Sequence, residues 1–143
     1  RYFTHSTEIV LWAAKNKKSK HYFDYPAMKR ANNGKQMKDV WRMTAPGKAE
    51  KTFGKHPTQK PVELLKRIVR ASTKRGGLVL DPFAGSFTTG VAALGLGRKC
   101  VGIERDRRYV RLAIRRAKQS LAAKSAQAPG SGRSKSASGT SKK

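Results

Sequence analysis

Between Leu78 and Glu104 the chain runs strand, turn, helix, strand, and this order constrains the fold more than any other feature. Leu78-Val79-Leu80 is a short apolar run halted by Asp81-Pro82. The loop Phe83-Ala84-Gly85-Ser86 leads into a helix expected over about Thr88–Leu96, which Gly97 closes. A second apolar run, Cys100–Ile103, ends on Glu104. Asp106 is then a good N-cap for a helix whose expected buried stripe is Val110, Ala113, Ile114, Ala117 and Leu121. Upstream, Pro61 starts a helix where its missing N–H costs nothing, and Glu63 faces the helix dipole. Leu65, Ile68, Val69 and Ser72 share one face; Lys74 and Arg75 are expected in the last turn, which Gly76-Gly77 ends. Strand, loop, helix, strand, helix is half of an open α/β sheet. The short apolar run Ile9–Ala13 reads as one further buried strand. These strands cannot close a sheet, so a bare edge is expected and the rest of the sheet has to come from elsewhere.

The length of 143 residues allows one domain and not two. Its 33 Lys and Arg against 8 Asp and Glu give a net charge of +25. A field of one sign this large favours a polyanionic partner, nucleic acid before an anionic membrane, since no 18-residue apolar run or signal-like segment is present. Charge alone leaves a ribosomal-type basic protein or a merely solvated surface open. One cysteine excludes an internal disulfide framework and fits a reducing cytosol, so a cytoplasmic location is expected. Cys100 lies in an apolar strand and reads as a structural thiol, and His5, His21 and His56 have no metal-ligand spacing with it. Residues 15–55 are lysine-rich and dotted with Tyr22, Phe23, Tyr25, Trp41 and Phe53, too long for an idle loop, and read as an irregular binding insertion. Residues 122–143 hold five bases, no acid and no large apolar side chain, and read as a disordered basic tail. The start at Arg1 reads as that of a fragment or processed product.

The chemistry is concentrated in Asp81-Pro82-Phe83-Ala84-Gly85-Ser86-Phe87-Thr88-Thr89-Gly90. A tight turn at the carboxyl end of a strand is where open α/β sheets bind ligands, and Gly85 lets backbone come close to one. The G-x-G-x-x-G spacing of a dinucleotide site is missing, and Val91-Ala92 follows Gly90 where a P-loop needs Lys and Ser or Thr. A nucleoside-type ligand without a polyphosphate remains. Glu104 ends the next strand at about the offset where an acid accepts from both ribose hydroxyls. The bland alternative has Asp81 capping the helix and Glu104 paired with Arg105 or Arg107; both acids at this spacing make it the weaker reading.

Asp81–Gly90 resembles the cofactor motif D-P-F-x-G-S-G-T-T of S-adenosylmethionine-dependent DNA amino-methyltransferases. His56-Pro57-Thr58-Gln59-Lys60-Pro61 resembles that family's H-P-T-Q-K-P segment, and Val101–Glu104 its ribose-binding strand. The chain order matches the β arrangement, in which the catalytic half comes first. Glu8–Ala13 and Gly34–Trp41 resemble stretches that precede H-P-T-Q-K-P in adenine-directed members, so the resemblance spans roughly residues 1–118. It implies a partial Rossmann-like methyltransferase fold with an incomplete sheet. It also implies S-adenosylmethionine as cofactor and double-stranded DNA as partner, in the setting of restriction–modification. In this frame Phe83 and Gly85 line the methionine and adenine side, and Asp81 and Ser86 of the same motif also bind the cofactor. Glu104 takes the ribose, and Thr58, Gln59 and Lys60, following His56, take the amino-acid end. Residues 1–121 would then be the C-terminal part of the methyltransferase domain, with 15–55 the target-recognition insertion and 56–121 the cofactor half.

Two departures stand out. Phe87 occupies a position where the family has glycine, and its ring is expected to narrow the pocket. The catalytic D/N/S-P-P-Y/F/W tetrapeptide, which holds the target amino group and stacks on the flipped base, is absent from these residues. Asp24-Tyr25-Pro26 has similar letters in the wrong order and reads as coincidence. No catalytic residue is therefore assigned. The chain by itself is expected to be inactive and to work with a complementary chain. The alternative is a regulatory subunit of a split enzyme or a basic DNA-binding remnant. Adenine N6 is favoured as acceptor, with cytosine N4 left open.

Overall fold

The computed structural model describes residues 2–4 and 6–126. Its centre is a pair of parallel strands, β1 (Leu78–Asp81) and β2 (Lys99–Gly102), with Leu78 opposite Lys99 and Leu80 opposite Val101. Parallel pairing needs a crossover, and α3 (Thr88–Gly95) supplies it. Helix α2 (Val62–Ser72) precedes β1, and α4 (Arg107–Ala126) follows β2. Both pack on α3. Small residues permit this close approach: Gly90, Ala92 and Ala93 of α3 are buried, the two alanines completely.

One face of the strand pair is turned to α3. The other presents Leu78, Leu80 and Val101, with Ile103 beyond the strand end; both leucines are 62% exposed. Among the described residues the sheet has only these two strands. The open half-sheet expected from the sequence is what forms.

Several local expectations are corrected. Ile9–Ala13 is no buried strand: it has no ladder partner, and Ile9 and Leu11 are 86% and 87% exposed. A strand needs neighbouring backbone to satisfy its amides, and the described chain offers none there. Residues 15–55 are not wholly irregular. They contain helix α1 (Tyr25–Ala31) and a 3₁₀ turn at Lys48–Lys51. Asp24-Tyr25-Pro26 is the start of α1, where Asp24 Oδ1 accepts the Ala27 N–H at 3.0 Å and the proline sits in the first turn. Ala27 and Met28 then pack against Ala71 of α2. Trp41 lies under the Arg67 guanidinium, 4.9 Å from its centroid, which favours a packing role for that ring.

Helix α2 ends at Ser72, before Lys74 and Arg75, because Thr73 turns extended and gives its carbonyl to Arg98 Nη2 and Nε at 2.7 and 3.1 Å. The buried face of α4 centres on Leu112 and Arg116, with Tyr109 and, from the expected stripe, Val110, Ala113 and Ala117 half-buried around them. It leaves Ile114 and Leu121 about half exposed, because α4 packs on α3 rather than under a sheet. Ala122–Ala126, read as the start of a disordered tail, continue α4; alanine is the best helix former. The remaining tail lies outside the described residues.

Candidate cofactor site

The turn after β1 is built from peptide groups held on two sides. Asp81 Oδ1 accepts the Phe83 N–H at 3.1 Å, and the Ile103 carbonyl accepts the Ala84 N–H at 2.8 Å. Gly85 N–H donates to Glu104 Oε2 at 2.8 Å, while Glu104 Oε1 accepts the Asp106 N–H at 2.8 Å. Glu104 thus bridges the turn to the start of α4 and makes no ion pair with Arg105 or Arg107. Its carboxyl is held below the usual range, chiefly by the Asp106 amide, then by the amides of Gly85 and Arg105 and the nearby His56. Each carboxylate oxygen keeps acceptor capacity beyond the one amide it takes.

His56 closes the other side. Its ring lies 4.2 Å from that of Tyr109, and Thr58 N–H approaches Nδ1 at 3.3 Å. A Cβ added at Gly85 would meet His56 Nε2 at 3.1 Å, and Gly85 has φ +49°. Only glycine suits both the backbone and the gap. The segment at His56 and the turn at Gly85, 29 residues apart in the chain, therefore form one surface with Glu104. Phe83 projects from its rim, 89% exposed.

The other residues picked from the sequence are placed differently. Asp81 caps its own turn rather than α3, whose N-cap is Phe87 without a side-chain bond. Ser86 is buried and its hydroxyl faces inward, 3.1 Å from Thr88 Oγ1. Gln59 gives its amide to the Glu50 carbonyl at 2.9 Å, and its Oε1 is buried without a partner. Lys60 pairs with Glu8 at 2.6 Å on the surface. Thr58 stays beside His56. The ring of Phe87 does not stand over the turn. It packs inward onto Gly90 and Gly102, where an added Cβ at Gly102 would lie 2.7 Å from it. Phe87 itself is left-handed, φ 64° and ψ 32°, which is why glycine suits this position.

The sequence reading missed Arg116. It is 6% exposed, and its Nη1 reaches the Ser86 carbonyl at 2.7 Å, Ser86 Oγ at 2.8 Å and Thr88 Oγ1 at 3.0 Å. The signal was present: Tyr109, Leu112, Ala113 and Arg116 fall on one helical face, with an arginine in an apolar stripe. Among the described residues no group of three or more His, Cys, Asp or Glu could hold a metal, and no helix is long and apolar enough to cross a membrane.

Comparison with known proteins shows the family. The family described as DNA methylase matches residues 1–115. The chain belongs to that DNA methylase family. It is 58% identical over 117 residues to the type II methyltransferase M2.DpnII of Streptococcus pneumoniae, covering 81% of this chain and 44% of that protein. It is 53% identical over 116 residues to the type II methyltransferase M2.MboI of Moraxella bovis, covering 81% of this chain and 42% of that one. The crystal structure of an M1.HpyAVI–SAM complex superposes with a TM-score of 0.54 at 35% identity, covering 70% of this chain and 45% of that one. This member of the family thus spans less than half the length of the curated relatives it matches.

Proposed function

We propose that residues 1–121 are the cofactor-binding and DNA-contacting half of a DNA methyltransferase, with adenine N6 the favoured methyl acceptor. Residues 56–121 form the cofactor part, 15–55 the target-recognition part and 122–143 a basic tail. The observation that carries this reading is the surface made by Gly85, Glu104 and His56 at the carboxyl end of two parallel strands.

The residues fit S-adenosylmethionine. Glu104 is a charged acceptor fixed by two amides and suits a ribose diol. Gly85 presents bare backbone, and the exposed Phe83 offers an apolar face for adenine. Lys60 is a cation whose charge suits a free carboxylate, and its exposed pairing with Glu8 is of a weak kind. Bound there, S-adenosylmethionine supplies a sulfonium-activated methyl group for direct transfer to an amino nitrogen. Asp81, Gln59 and Ser86 support the walls through their own bonds.

Holding that nitrogen in line supplies much of the rate enhancement in such a transfer. Residues 1–143 contain no D-P-P-Y-type segment to do so. The chain alone is therefore inactive, and a complementary half brings the catalytic segment together with a cover for the open apolar face of β1 and β2. The test is radiolabelled methyl incorporation into DNA by the chain, with and without a polypeptide carrying the D-P-P-Y-type segment and the remaining strands. Background counts alone and methylation after addition are expected; robust activity from the 143 residues by themselves would sink the half-enzyme reading. Calorimetry separates the plain DNA-binding alternative, since S-adenosylmethionine or its demethylated product should bind while NAD and ATP do not.

A further inference from the structure

Arg116 has no evident reason to be buried if only stability is considered. Among the described residues it has no carboxylate partner within ion-pair distance, and burial pushes its guanidinium below its usual value. An apolar side chain of similar volume often serves a core at least as well as a buried charge. What the guanidinium does hold is a single peptide plane. The Ser86 carbonyl and the Phe87 N–H belong to the same peptide group. Arg116 Nη1 donates to the carbonyl at 2.7 Å, and the Phe87 N–H donates to the Ala84 carbonyl at 2.6 Å. That plane stands next to Phe87, the one residue of the turn other than glycine that is left-handed. A phenylalanine leaves this conformation readily, because its Cβ crowds the following carbonyl. Two residues earlier in the turn, Glu104 Oε2 accepts the Gly85 amide at 2.8 Å.

The geometry points to Arg116 as a positioning residue for cofactor binding: it locks the Ser86–Phe87 peptide and so keeps Gly85 and Glu104 in register. This rests on the proposed S-adenosylmethionine site. Ser86 and Thr88 contribute through the same nitrogen, and their hydroxyls are its further acceptors. Arg116 touches no ligand itself; it acts through the turn.

The test compares the 143-residue chain with Arg116→Met, Arg116→Lys, Phe87→Gly and the Arg116→Met/Phe87→Gly double variant. S-adenosylmethionine affinity is measured by calorimetry, and amide exchange by mass spectrometry on the peptide that spans the turn. Arg116→Met should weaken binding by about 10- to 100-fold, the range for losing a charged hydrogen bond. Arg116→Lys, which returns one charged donor, should recover part of the loss. Glycine adopts the left-handed conformation without strain, so Arg116→Met should cost clearly less affinity in the Phe87→Gly chain. A purely structural arginine would instead lower affinity by the same factor in both backgrounds. Equal losses, or unchanged affinity in a folded Arg116→Met chain, would overturn the proposal. The exchange arm needs no ligand: the turn peptide should exchange faster in both Arg116 variants. Faster exchange in the variants, with a parent chain that binds no S-adenosylmethionine, would overturn the cofactor reading and leave the hold on the turn standing. Unchanged exchange would overturn the hold itself.

Discussion

Glu104 and Asp106 sit two residues apart and are both held below the ordinary carboxylate range, with different consequences. Glu104 is fixed by amides and left able to accept more, so Glu104→Ala should lower S-adenosylmethionine affinity by about ten- to a hundredfold, read by calorimetry. Asp106 receives the Arg108 guanidinium at 2.6 Å and the Arg108 amide at 2.7 Å, which take its pKa from 3.8 to about 2. A carboxylate depressed by folding stabilises the fold above its unfolded pKa and loses that contribution as pH falls through the folded value. Urea midpoints should therefore drop between pH 3.8 and about pH 2. Asp106→Asn keeps an oxygen for the α4 cap but no charge, and its acid limb should be flatter. Phe87 balances two effects of opposite sign. Its left-handed backbone costs about 1–2 kcal/mol, while removing a packed phenylalanine ring from a core costs about 3–5 kcal/mol. The ring here is only partly buried, so the cavity loss is reduced, yet it still wins. Phe87→Gly should destabilise the chain by about 1 kcal/mol by urea unfolding, and a more stable variant would show that strain dominates.

At the scale of elements, the connections rather than the helices decide the arrangement. Arg98 takes the Thr73 carbonyl twice and the Leu96 carbonyl at 2.7 Å, and so ties the end of α2 to the end of α3 just before β2 begins. Arg98→Met should cost about 1.5–3 kcal/mol, the range for hydrogen bonds from a charged donor, and lower the thermal midpoint without moving cofactor contacts. Helix α4 is long because Asp106 caps it and alanines extend it, and its register places Arg116 under the turn. The segment Ile9–Ala13 shows the converse. Its composition suits a strand, but Leu11 and Trp12 only border a groove of about 490 Å³ with Phe23, Met28 and Met37. Among the described residues a neighbouring strand to pair with is what it lacks.

The whole molecule carries two surfaces of unlike character. One is the apolar face of β1 and β2, whose leucines are exposed. Parallel sheets are ordinarily covered on both faces, so the complementary half we propose should, when added, raise solubility and sharpen unfolding. The other is a charge of +25. The DNA binding we propose should weaken with salt at about 0.9 counterions per phosphate contact in a log–log plot. Removing residues 122–143, which carry five bases and no acid, should flatten that slope without altering base preference. A salt-independent interaction would contradict a phosphate-contact role.

The linear order of residues was enough to establish the strand–turn–helix–strand core, the glycine turn and the carboxylate at the end of β2. Each of these depends on local patterns: apolar runs of strand length, Pro and Gly at breaks, an acid at a set distance along the chain. Helix ends and faces were less legible. Ser72 ends α2 because an arginine 25 residues beyond Thr73 captures its carbonyl, and the buried stripe of α4 follows from packing on α3 instead of a sheet. Only the tertiary structure turned Phe87 inward, sent Gln59 to Glu50 and Lys60 to Glu8, and brought Arg116 beneath Ser86. Local sequence sets which backbone shapes are cheap, but which side chain meets a given carbonyl or cavity depends on distant segments that share no period with it.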